Sequence, residues 1–181
     1  MFVTASGSHE NPAVPDQFTP FFLEWEPQVR RYLVWLEGDL SIIDDVAQET
    51  MISAYRYWER LSTLEQPRAW LFKVAGQRLA DAQAARSRLG VLAEPPDVCA
   101  SLTARDETAT CDDRLHILEA VRRLPPQQAA AMALLIQYDL PFREIADVLG
   151  ISVGAVKKHL HLARKRLKEW LDAEEGGFHG A

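Results

Sequence analysis

Apolar residues in this chain recur at intervals of three and four and nowhere in sustained alternation, a pattern that predicts helices throughout and no sheet. From Phe18 to Glu37, the residues Phe22, Trp25, Val29, Leu33 and Leu36 line one helical face, and Gly38 with Asp39 ends the run. Ser41 to Leu61 repeats the spacing with Val46, Thr50, Ala54 and Trp58, while Asp44, Asp45, Gln48, Glu49 and Arg56 fill the polar circumference. Pro67 stands where a first helical turn tolerates proline, and Trp70, Leu71, Val74, Ala75 and Leu79 follow as an apolar stripe to about Arg88. Three helices therefore make a first unit, residues 18–88.

The periodicity vanishes over 89–112, where Gly90, Pro95 and Pro96 interrupt a Ser- and Thr-rich stretch that reads as a flexible linker. At about 3.3 Å per residue this stretch reaches at most about 80 Å. A second unit, residues 113–172, opens with Leu115, Leu118, Val121 and Leu124, breaks at Pro125 and Pro126, and resumes as an Ala-rich helix from Gln127 to Tyr138. Two more helices complete it, giving an all-α chain of two small helical domains, a three-helix unit and a four-helix unit. Residues 1–17 read as a disordered N-terminal extension, and 173–181, with Gly176, Gly177 and Gly180, as a flexible tail.

The sharpest local pattern is Pro141 to Leu171, PFREIADVLGISVGAVKKHLHLARKRLKEWL. A short helix from Phe142 to Leu149 meets Gly150, and a longer helix begins after Ile151, which is the grammar of a helix-turn-helix. Ala146 is small where the two helices approach, Gly150 can adopt the positive φ of the tight turn, and Ser152 can cap the second helix with its hydroxyl. On that second helix Val156, Leu160, Ala163 and Leu167 share one face and can pack upon Ile145 and Leu149. Lys157, His161, Arg164 and Lys168, flanked by Lys158 and Lys165, share the other, where a recognition helix meets the major groove. An isolated basic helix could equally be a solvated surface; the preceding helix, glycine and cap favour DNA binding.

Charge changes the picture only through its distribution. The net charge of −6 argues superficially against a nucleic-acid partner. Yet Ile151 to Leu171 holds six Lys and Arg against Glu169 alone, a net +5, and Arg68, Lys73, Arg78, Arg86 and Arg88 against Asp81 make a second run of net +4. No charge-free apolar stretch reaches the length of a membrane span, and no basic start with an apolar core marks a secretory signal, so the expected location is the cytoplasm. Cys99 and Cys111 lie in no CxxC pair and near no histidine pair, so both are expected as reduced thiols and no metal site is expected. A phosphate-cradling glycine loop, a zinc-ligand cluster and a nucleophile elbow are all missing, so the chain is expected to be no enzyme and to use no cofactor.

The segment ILEAVRRLPPQQAAAMALLIQYDLPFREIADVLGISVGAVKKHLHLARKRL resembles region four of the extracytoplasmic-function (group 4) sigma factors of the sigma-70 family, the part that binds the minus-35 element. Upstream, IDDVAQETMISAYRYW resembles the family's region 2.2 and PRAWLFKVAGQRLADAQAAR its regions 2.3 and 2.4, in the correct order. The resemblance covers nearly everything from Phe18 to Leu171. It implies a transcription initiation factor that directs core RNA polymerase to promoters and assists their opening. Asp44, Asp45, Gln48 and Glu49 match the positions that dock on the clamp helices of the largest polymerase subunit, although the same acids could merely start and solubilise a helix. Lys73, Gln77, Arg78 and Arg86 match the surface facing the minus-10 element, and the loop Glu59 to Gln66 the one that accepts a flipped base. Ser152, Lys157, Lys158, His161, Arg164 and Lys165 match the minus-35 contacts.

The resemblance further implies contact with the flap of the second-largest subunit and control by an anti-sigma factor, while the terminal GGFHGA suggests a protease adaptor as a partner. Three positions depart from the family's habit: Gln77 stands where Asn is common, Ile42 where Asp is common, and Leu162 where Arg is common. Trp70 and Phe72 sit at helical spacing and read first as core, Trp70 the more so. A helix-turn-helix repressor or activator that acts without replacing the polymerase specificity subunit is the rival reading, and it accounts for the C-terminal half only.

Overall fold

A computed structural model describes the backbone of residues 17–89 and 111–177 and the side chains of 17–88 and 115–173. The predicted N-terminal extension up to residue 16, the linker from 90 to 110 and the end of the tail from 178 lie outside these residues. Among the described residues the regular structure is helical throughout. The first unit holds α1 (Phe18–Leu36), α2 (Leu40–Arg56), the single turn α3 (Trp58–Leu61) and α4 (Pro67–Leu89). The second holds α5 (Cys111–Arg122), α6 (Pro126–Tyr138), α7 (Phe142–Leu149) and α8 (Val153–Gly177).

Local chemistry sets most of the boundaries. Asp39, after stopping α1, caps α2 by accepting from the Ser41 backbone N–H at 2.9 Å and the Ser41 hydroxyl at 2.7 Å. The single helix that periodicity predicts over Ser41 to Leu61 is divided, because Tyr57 leaves helical dihedrals at φ −104°, ψ 18°. Just before it, Thr50 and Ser53 return their hydroxyls to the carbonyls of Val46 and Glu49, a habit that bends helices. Asp139 ends α6 in the left-handed region at φ 47°, a conformation that Asp tolerates better than most residues. At the far end α8 continues through Gly177, past the Asp172 at which periodicity fades.

The two units do not stand apart: they share one core. Val29 and Leu33 of α1 pack with Ile43 and Val46 of α2 and Leu71 and Ala75 of α4, all buried. Phe72 points out of that cluster and, fully buried, bridges Tyr32 at 5.1 Å and Tyr138 of α6 at 4.6 Å between ring centroids. Burial pushes the phenol groups of Tyr32 and Tyr138 well above their usual pKa, and the Tyr138 hydroxyl donates to the carbonyl of Gln28 at 2.5 Å. Trp35 Nε1 donates to Gln137 Oε1 at 3.3 Å. Arg122 of α5 gives both Nε and Nη2 to the carbonyl of Val34, in the last turn of α1. There a helix leaves its final carbonyls without intrahelical partners and favours a cation. Burial pulls the Arg122 guanidinium below its usual pKa, against the opposing charges of Glu37 and Glu119.

Phe22, expected on the buried face of α1, is instead 38% exposed, whereas Val34 and Trp35, off that stripe, are buried. The reason is that α1 is covered from two sides, by α2 and α4 on one and by α5 and α6 on the other. One stripe cannot describe a helix with two buried faces.

Candidate nucleic-acid interface

The helix-turn-helix forms as the pattern requires. Ile145 and Ala146 of α7 and Val156, Leu160 and Ala163 of α8 are buried against one another's helices and α6, with Leu149 and Leu167 partly buried at the margin. Gly150 takes φ +66° and closes α7 through its N–H to the Ala146 carbonyl. A Cβ added there would meet nothing within 4 Å, so the demand for glycine comes from the backbone angle rather than from crowding. Ser152 Oγ accepts from the Ala155 N–H at 3.1 Å, the capping bond expected of it.

This seating turns the cationic face of α8 outward. Ser152, Lys157, Lys158, His161, Arg164 and Lys165 are all exposed. Lys157 Nζ stands 6.0 Å from the centre of the Phe142 ring, and Lys165 makes a 3.8 Å contact with Glu169 in which both side chains remain mostly in solvent. Neither is tied down, since an exposed pair of that length contributes at most about 0.5 kcal/mol. Lys158 and Arg164 have no hydrogen bond or ion pair among the described residues. Arg166, on the flank, donates to the buried Gln128 at 3.0 Å and so belongs to the packing of α8 upon α6.

The cations of α4 are disposed differently. Lys73 and Gln77 are exposed, but they line a cleft of about 550 Å³ between the units, whose far wall includes Val148, Leu149 and Gly150 of the helix-turn-helix. Arg78 donates to Glu49 Oε2 at 2.5 Å and to Ser53 Oγ at 2.7 Å, which ties one predicted DNA contact to one predicted polymerase contact. Arg86 meets Glu37 Oε2 at 3.2 Å and Asp39 Oδ2 at 3.5 Å. Glu37 is only 5% exposed. Its burial raises the carboxyl pKa, but hydrogen bonds from the Gln83 side chain and the Asp39 and Gly38 N–H groups, with the Arg86 charge, bring it below the usual value. The Ser41 hydrogen bond chiefly lowers Asp39 in the same direction. Arg86 therefore holds a buried carboxylate that periodicity does not reveal.

On α2, Asp44, Asp45, Gln48 and Glu49 are all exposed. Asp45 and Gln48 have no partner among the described residues, whereas Asp44 is paired with Arg30 of α1 at 2.5 Å. Ile52, 42% exposed one turn beyond Gln48, extends this face with an apolar side chain that sequence reasoning passes over. Trp70, expected in the core, is half-buried with its ring 6.2 Å from the exposed Tyr57, at the edge of the loop before α4. Phe72 is core outright. The charged pair that sequence reasoning misses altogether is Arg68 with Glu144, which joins the start of α4 to the start of α7 through two hydrogen bonds of 2.9 and 2.7 Å. Its two members are separated by 76 positions.

Comparison with known proteins matches the family model described as Sigma-70 region 2 to residues 21–89, and that described as Sigma-70, region 4 to residues 114–167. The chain is 33% identical over 140 residues to the ECF RNA polymerase sigma factor SigL of Mycobacterium tuberculosis, covering 76% of this chain and 79% of that protein. It is 26% identical over 156 residues to the RNA polymerase sigma factor CarQ of Myxococcus xanthus, covering 86% and 90%. Its fold is similar to that of the sigma factor RpoE of Bartonella quintana, solved in complex with the anti-sigma factor NepR. That match has a TM-score of 0.72 at 21% identity, over 87% of this chain and 98% of the other.

Proposed function

Because this chain belongs to the ECF RNA polymerase sigma factors of the sigma-70 family, we propose a division of labour among the surfaces described above. The factor directs core polymerase to promoters. Its exposed α8 face, with Ser152, Lys157, Lys158, His161, Arg164 and Lys165, reads the minus-35 element as duplex in the major groove. The α2 face, with Asp45, Gln48 and Glu49 and with Asp44 at its edge, docks on the clamp helices of the largest polymerase subunit, and Ile52 adds an apolar contact there. Lys73, Gln77, Arg78 and Arg86 face the minus-10 element as it opens, where unstacked bases need cationic support. Glu59 to Gln66 receives a flipped base. The protein binds and positions, with no chemistry of its own, and works in the cytoplasm; no described helix is long and apolar enough to cross a membrane. An anti-sigma factor, the class of partner held by the solved RpoE, is the expected regulator.

The observation that carries this reading is the capped second helix of the helix-turn-helix, whose cations are exposed and not consumed by internal pairing. A free-standing repressor would use the same helix but leaves the region 2 match without a role. Reconstituted run-off transcription with core polymerase and a genomic library, with the start sites sequenced, tests it. Lys157→Ala and Arg164→Ala should each lower minus-35-dependent initiation by at least about fivefold while core association stays intact. Loss of core association in both variants would assign that face to polymerase instead, and sink the proposal.

A further inference from the structure

We infer that the cleft between α4 and the second unit is a binding site for a small amphipathic anion, a carboxylate carried on an apolar body. The cleft holds about 550 Å³, within the range of about 300–1,000 Å³ in which pockets bury most of a small ligand. Leu36, Leu79, Leu124, Val148 and Leu149 give it apolar walls drawn from both units, and Gln77 and Gln127 line it from α4 and α6. Its charged lining residues are Lys73 and Arg122, and no Asp or Glu lines it among the described residues. The chain as a whole has 26 acidic against 20 basic residues, so an acid-free wall is the opposite of what its composition supplies. Only the exposed Lys73 and Gln77 also belong to a surface assigned above, and the site does not depend on the promoter reading.

Arg122 is the reason to expect a negative occupant. Its guanidinium is half-buried and spends Nε and Nη2 on the Val34 carbonyl, a neutral acceptor. Nη1 has no hydrogen bond, and the group no ion pair, among the described residues. Glu37 and Glu119 favour the cation only from beyond ion-pair distance, and Glu37 is already taken by Arg86. Enclosing a charge is costly unless a counter-charge meets it, and a carboxylate in the cleft supplies one. Lys73, without a partner among the described residues, adds a second cation to the same lining. One part-used guanidinium and one ammonium match a single negative charge rather than a polyphosphate. The leucine and valine walls in turn require an apolar body behind that charge.

Calorimetric titration of the full chain with decanoate, kept below its micelle concentration, tests the site with neither polymerase nor promoter present. One saturable site is expected. Octanoate should bind about tenfold more weakly, for the loss of two buried methylenes, and the neutral decanol and cationic decylamine at least about tenfold more weakly, for the loss of the charge. Arg122→Met should cut decanoate affinity by at least about tenfold while leaving decanol affinity unchanged, and Lys73→Met, at an exposed position, by about threefold. Lys157→Met, which removes a cation of the exposed α8 face, should change neither. No saturable binding overturns the inference. So does decanol that binds as tightly as decanoate, or an affinity that follows Lys157 and ignores Arg122 and Lys73. If Arg122→Met loses helical circular dichroism, Lys73→Met and the decanol comparison decide alone. Because run-off transcription tests the promoter reading separately, either can fall while the other stands.

Discussion

Helices α4 and α8 carry similar excesses of positive charge, net +4 over Arg68 to Arg88 and net +5 over Ile151 to Leu171, yet they spend it in opposite ways. On α8, Lys157, Lys158, Arg164 and Lys165 stand in solvent with one loose pair among them. On α4, Arg68, Arg78 and Arg86 each meet a carboxylate from outside that helix, at Glu144 of α7, Glu49 of α2 and Glu37 just after α1. A run of cations signals a free surface only if the acids that could neutralise it lie elsewhere, and those acids sit 29 to 76 positions away in sequence. The basic content of α4 is thus largely structural in the free protein, while that of α8 is available to phosphate.

The strongest way to break this contrast is Arg86→Ala. It strands the buried Glu37 carboxylate and should cost about 2–3 kcal/mol in urea unfolding, less than a fully enclosed pair because Arg86 is partly exposed. An unchanged midpoint would remove α4's structural role. Acid titration sharpens the same point. The hydrogen bonds and the Arg86 charge hold the folded-state pKa of Glu37 below its ordinary value, so its contribution is fully present above the ordinary glutamate range. It is lost as pH falls through the lower folded value. Glu37→Gln should therefore flatten the acid limb of a plot of Tm against pH below the usual glutamate range; an identical slope in both proteins would contradict the assignment. Arg78→Ala, whose partner Glu49 is exposed, should cost only about 1 kcal/mol. Smallest of all, Lys157→Ala and Arg164→Ala should leave stability within about 0.5 kcal/mol of wild type. A larger loss by thermal unfolding would show that α8's cations are internal after all.

The elements legible in sequence are those whose determinants are local. Phe142–Leu149, the Gly150 turn and the Ser152 cap fall where spacing and residue chemistry put them, because helix, turn and cap are each specified within a few residues. The break at Tyr57 escapes, since Trp58 still falls on the apolar repeat of α2 and nothing in the repeat marks the interruption. The second buried face of α1 escapes for a different reason. Val34 and Trp35 look like ordinary apolar residues beside a stripe, and only the presence of α5 and α6 gives them cover. Arg86 and Arg78 were legible as positive charges and not as partners of particular acids. The exposed face of α2 was legible at Asp45 and Gln48, while Ile52 gave no signal, because a single apolar residue on a polar face is commonplace.

The contact between Arg122 and the Val34 carbonyl ties the first unit's integrity to the second. Helix α1 has no basic residue in its own last turn, so the countercharge for that end of the peptide dipoles comes from α5. Whenever the halves separate, this terminus loses its borrowed cation and must find water or a new donor in exchange. Amide exchange at the end of α1 would then act as a built-in reporter of whether the second half is in place.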